Sequence, residues 1–109
     1  MLDQRLAAAG IQSQNIQGYE RVAYGHLAAA YRVMAQDADV CVATRSAAMT
    51  FGLDFIPLHS ERYDLVMRRS TTELPSVQAF LDVLQRATLR RKLELLAGYD
   101  TSETGAAVA

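Results

Sequence analysis

Apolar residues recur at Leu2, Leu6 and Ala9, a helical spacing, and Gly10 follows where a C-terminal cap belongs. No Ser, Asp or Asn precedes Leu2 to cap that helix, so the sequence reads as a longer natural chain cut at Met1. Polar residues 12–15 form a loop, and "NIQGYERVAYG" has the extended, glycine-punctuated look of a short strand and a loop. Leu27, Ala30, Tyr31 and Met34 then fall at i, i+3, i+4 and i+7. That stripe predicts an amphipathic helix that starts near Gly25 or His26 and ends around Gln36 with this face buried.

Residues 40–43 are continuously apolar without alternation, the pattern of a strand covered on both faces in a parallel sheet. A short helix over residues 46–51 closes at Gly52, and residues 55–58 resume the sheet, giving a compact strand, helix, strand unit. Tyr63, Leu65, Val66 and Met67 mark a further strand, with no tight-turn signal between it and Leu58. Such a passage carries the chain from one layer to another. Pro75 suits the first turn of a helix whose buried face is Val77, Phe80, Leu81 and Leu84. A last helix over residues 89–97 ends at Gly98, and the small, polar residues 102–109 are expected to fray. The fold class expected from this order is α/β.

Composition narrows the function. With 109 residues, half of them apolar, the chain has room for one domain with one core. Eleven basic and 12 acidic residues leave a net charge of -1, too little field to suggest a nucleic-acid or anionic-membrane surface, so any bound anion must be held locally. No apolar run approaches the roughly 20 residues that span a bilayer, and the start lacks a signal-peptide pattern. The expected location is the cytoplasm, or the periplasm if a signal was removed with the N-terminus. Cys41 is the single cysteine, which excludes an internal disulfide; inside an apolar run it reads as a small buried hydrophobe.

The chemistry of interest lies at two helix starts. A helix N-terminus offers unpaired N–H groups and a partial positive charge, so it receives an oxyanion without a basic side chain. One start follows Thr44, with Arg45 and Ser46 supplying N–H groups and hydroxyls; the other is Gly25-His26, where glycine permits close approach. Thr44 or Ser46 merely capping its own helix is the alternative. His26 and His59 stand at no metal-ligand spacing. Arg68-Arg69 and Arg90-Arg91-Lys92 read as solvated element ends, and Glu20, Glu61 and Asp64 suggest no catalytic pairing, so no enzyme and no cofactor is expected.

Four stretches, "GYERVAYGHLAAA", "ADVCVATRSAA", "GLDFIPLHSERYDLVMRR" and "GYDTSETG", resemble the periplasmic-binding-protein-like domain related to molybdate-binding proteins, which occurs fused to helix-turn-helix regulators and to molybdopterin-biosynthesis proteins. The resemblance implies a type 2 fold of two lobes, each a three-layer α/β sandwich with a mostly parallel sheet, closing on a small ligand. Residues 1–105 would be its C-terminal half: second lobe at 10–60, crossover at 61–69, C-terminal helices at 75–97, and a disordered tail at 106–109. By position, its ligand contacts fall at Gly25-His26 and at Thr44, where periplasmic molybdate binders often carry Tyr, so the anion, molybdate or tungstate first, stays open. The opposing lobe is not in the sequence, which predicts weak anion binding by this chain alone. An organic metabolite as effector of a transcription regulator, and a self-associating module forming a homodimer, are the alternatives.

Overall fold

The computed structural model describes residues 1–108 and divides the chain into two compact units, Met1–Phe55 and Ile56–Ala109. The expected frayed segment at 102–109 and disordered tail at 106–109 both include Ala109, which lies outside the described residues.

In the first unit, α1 spans Leu2–Ala8, a 3-10 turn spans Ser13–Asn15, α2 spans His26–Met34 and α3 spans Arg45–Thr50. Gly10 ends α1 in the left-handed region at φ 69°, where the Ile11 N–H donates to the Leu6 carbonyl at 2.9 Å and closes a Schellman turn. Gly52 ends α3 in the same way, with φ 65° and Leu53 N donating to the Ala48 carbonyl at 2.9 Å. The residue that performs this turn after α2 is Gln36, at φ 63°, with the Asp37 N–H on the Arg32 carbonyl at 2.9 Å. An ion pair of 2.7 Å between Arg32 and Asp37 braces it. A side chain in the left-handed region is strained. Gln36→Gly is therefore expected to raise stability by about 0.5–1 kcal/mol, read as a higher urea midpoint at unchanged slope.

The α2–α3 contact is built from small residues. Ala30 on α2 and Ala47 and Ala48 on α3 are the buried apolar residues of these two packed helices, Ala30 at 1% exposure, and the Tyr31 and Phe51 rings meet edge-on with centroids 5.9 Å apart. Alanine at this seam lets the two backbones approach closely. The rest of the α2 stripe is not covered as the spacing predicted: Leu27, Tyr31 and Met34 are 57%, 53% and 42% exposed.

In the second unit, α4 spans Arg69–Thr72, α5 spans Pro75–Leu84 and α6 spans Ala87–Leu95; α4 and α6 each pack on α5. Pro75 occupies the first turn of α5. After α6 two consecutive residues have positive φ, Ala97 at 59° and Gly98, the glycine that the sequence suggested, at 80°. The residues that follow are tied back to the helices. Thr101, the one buried polar residue among those described, donates from Oγ1 to Glu94 at 2.8 Å, and Arg90 Nη2 donates to the Thr104 carbonyl at 3.1 Å. Gly105 sits at φ 80°, where a Cβ would lie 3.0 Å from the Leu84 backbone, so both conformation and space require glycine.

The expected α/β sandwich with a mostly parallel sheet is corrected by this architecture: the described residues contain helices and no strand. Residues 53–68 run without helix, turn or bend, and residues 40–43 likewise, yet no ladder joins these runs. A strand exists only through the hydrogen bonds of a neighbour. The apolar run at 40–43 records a need for cover, and Val40 at 81% exposure shows that need unmet within the unit. The strand expected within residues 15–25 is likewise a 3-10 turn followed by further turns.

Candidate functional site

Both anticipated helix starts lie in the first unit, and they differ in chemistry. Gly25 is the N-cap of α2, with φ 97° and ψ 159°, and no side chain caps the helix. The Gly25 carbonyl accepts from Ala29 N at 3.1 Å, so the N–H groups of the first turn, His26 to Ala28, precede the helical ladder and have no place in it. A Cβ at Gly25 would meet nothing within 4 Å, and His26 is exposed, so this end is open to a ligand. The left-handed φ explains why glycine stands there.

The start of α3 is satisfied from within. Thr44, its N-cap, accepts at Oγ1 from the Ala47 N–H at 3.3 Å and lies 3.1 Å from Ser46 Oγ. Both hydroxyls are half-buried. The Ser46 carbonyl accepts from Thr50 Oγ1 at 2.9 Å, and the exposed Arg45 guanidinium stacks 4.9 Å above the Phe55 ring. Thr44 and Ser46 are thus brought together, while Arg45 is turned to an aromatic face. Arg21 donates to the Asp37 carbonyl at 3.4 Å and folds over Gly18.

A cavity the sequence reading did not anticipate opens on the first unit. Asp3, Leu6, Ala7, Ile11, Ser13 and Tyr19 line an open depression of about 320 Å³. None of Gly25, His26, Thr44, Arg45 or Ser46 lines it. The helical spacing read at Leu2, Leu6 and Ala9 placed Leu6 on a helix but gave no sign of this depression.

Electrostatic perturbations lie elsewhere. In the second unit, Arg62 bridges Asp64 at 3.0 Å and Glu103 at 2.5 Å; its hydrogen bond to Asp64, then that to Glu103, hold the guanidinium above its ordinary value. The Glu61 carboxylate beside Tyr63 pushes that phenol up through its charge and a 3.3 Å hydrogen bond. The Ser102 N–H, 2.9 Å from Asp100, holds the Asp100 carboxyl below its usual range. Partial burial raises the Cys41 thiol. Iodoacetamide at pH 7 is therefore expected to alkylate Cys41 more slowly than free cysteine. Among the described residues no three His, Cys, Asp or Glu side chains gather as a metal site, and no helix is long and apolar enough to cross a membrane.

The model of the PBP superfamily domain matches residues 1–85. An uncharacterized protein encoded in the 5' region of the ferredoxin 2Fe-2S gene of Clostridium pasteurianum is 35% identical over 106 residues, covering 96% of this chain and 94% of that protein. The uncharacterized protein YvgK of Bacillus subtilis (strain 168) is 32% identical over 105 residues, covering 96% of this chain. The chain spans 33% of the length of that relative. No solved structure matches. With the family model matched over most of its residues and two relatives aligned along nearly its whole length, the chain belongs to the PBP superfamily, the periplasmic-binding-protein-like domains.

Proposed function

We propose that the chain is a non-catalytic binding and sensing domain for a molybdate-like oxyanion and supplies one side of the ligand cleft, as the C-terminal half of a larger binding domain. The observation that carries this reading is the open start of α2: a glycine N-cap with no capping side chain, where an added Cβ would meet nothing within 4 Å, in a periplasmic-binding-protein-like domain. The first-turn N–H groups of His26, Leu27 and Ala28 hold the oxyanion, and the Thr44 and Ser46 hydroxyls turn from each other to donate to it. Support for the convergence of these groups comes from the chain path. After α2 the chain turns at Gln36, runs through residues 40–43 and enters α3, which packs back on α2. A return of this kind is the path by which two consecutive helix starts would come to one end.

Two settings suit such a domain: the effector part of a cytoplasmic helix-turn-helix regulator, and a molybdopterin-biosynthesis protein. A second reading, an organic carboxylate as ligand, draws on Arg45. Stacking on Phe55 engages the face of the guanidinium and leaves its edge N–H donors for a bidentate carboxylate. A thermal-shift screen separates the two. Molybdate or tungstate at about 10 mM should raise Tm by several degrees where chloride of equal ionic strength does not. A rise with organic acids alone would favour the second reading, and no rise with any oxyanion would remove the first.

A further inference from the structure

The stretch "GYDTSETG", residues 98–105, takes no part in the proposed ligand site, yet it is bound on two sides within the second unit. On one side it is fixed to the helices. The buried Thr101 donates to Glu94 of α6, Arg90 of α6 donates to the Thr104 carbonyl, and Gly105 lies against the end of α5 too closely for any side chain. Two successive turns, with Thr104 N on the Thr101 carbonyl at 3.1 Å and Ala106 N on the Glu103 carbonyl at 3.0 Å, leave Glu103 exposed between these anchors. On the other side, Arg62 reaches across from the extended run. Its Nη1 donates to Glu103 at 2.5 Å while its Nε holds Asp64 at 3.0 Å.

The two attachments differ in kind. The helix side combines a buried hydroxyl with a steric fit, whereas the Arg62 and Glu103 side chains are 55% and 66% exposed. Every residue from 56 to 66 is exposed, so no buried apolar side chain anchors that run. Segments with little burial open first and leave the rest of the fold in place. We infer that residues 99–105 are a clasp fixed to α5 and α6 that holds the extended arm, residues 56–66, by a latch between Arg62 and Glu103, so that the arm detaches while the helices stay folded. The arm is where the chain enters the second unit, and the latch sets how firmly that entry is held. It does so whichever ligand the domain takes.

Heteronuclear 15N NOE values of the unsubstituted chain test the latch. Raising NaCl from about 20 mM to about 500 mM shortens the Debye length from about 20 Å to about 4 Å, and should lower the values at residues 60–65 while those of α5 and α6 hold. Glu103→Gln should reproduce that fall at low salt. It should also raise trypsin cleavage after Arg62, relative to cleavage after Arg68, about two- to fivefold, the range of an exposed ion pair. An arm that responds neither to salt nor to Glu103→Gln would overturn the latch, and helices that lose order together with the arm would overturn its independent release. Thr101→Val, which removes the hydroxyl from Glu94, should loosen residues 99–105 and the arm together; an arm that stays ordered while 99–105 loosen would show that the clasp does not hold it. Should that variant fail to fold, the salt response of the unsubstituted chain decides.

Discussion

Molybdate titrated calorimetrically into this chain is expected to bind no tighter than a few tenths of a millimolar, roughly a hundredfold or more weaker than a micromolar sensor. The limit follows from the number of donors. Micromolar affinity needs about 8 kcal/mol, charge-assisted hydrogen bonds contribute about 1.5–3 kcal/mol each, and association itself costs at least about 4 kcal/mol. The open start of α2 supplies three N–H donors, and the Thr44 and Ser46 hydroxyls, already engaged, add little net, so the strong contacts number three. The hydroxyls must also surrender the Ala47 N–H and each other before they serve a ligand. Micromolar binding by the chain alone would mean that it holds a complete site, and would defeat the one-sided cleft.

Ala30→Leu should produce the largest loss of stability among single apolar substitutions in the first unit, about 1–3 kcal/mol. Ala30 is the most buried residue described and faces α3, whose Ala47 and Ala48 are buried with it. Three added carbons have no space there, so the helices must separate and the Tyr31–Phe51 ring contact opens with them. Urea unfolding measures the loss. A change below about 0.5 kcal/mol, the range of surface substitutions, would show that the seam between α2 and α3 is not the packed centre of this unit.

The helices were legible because their signals are local. Gly10 and Gly52 sit in the left-handed turns that their positions implied, Pro75 opens α5, and Thr44 caps α3 by the means expected of a threonine. Gln36 and Ala97 escaped notice because neither residue type advertises a left-handed conformation. The sheet was inferred from the apolar run at residues 40–43, but apolar character shows only that a segment favours cover, whereas a strand needs a hydrogen-bonded neighbour at a definite place. The same limit explains the α2 stripe: its spacing identified a face, but only Ala30 of that face is buried, Tyr31 meets the Phe51 ring while half-exposed, and Leu27 and Met34 stay exposed. At the candidate site, the sequence could name Gly25 and Thr44 as helix starts. It could not tell that Thr44 is engaged by Ala47 and Ser46 while Gly25 is open, since that difference depends on side-chain geometry.

That difference is what an amide-resolved NMR titration with molybdate reads directly. Saturable shifts confined to the backbone amides of His26, Leu27 and Ala28, with smaller ones at Thr44 and Ser46, are the predicted result. Shifts that gather instead around Asp3, Ile11 and Tyr19, or an unperturbed α2 start at saturating anion, would contradict it.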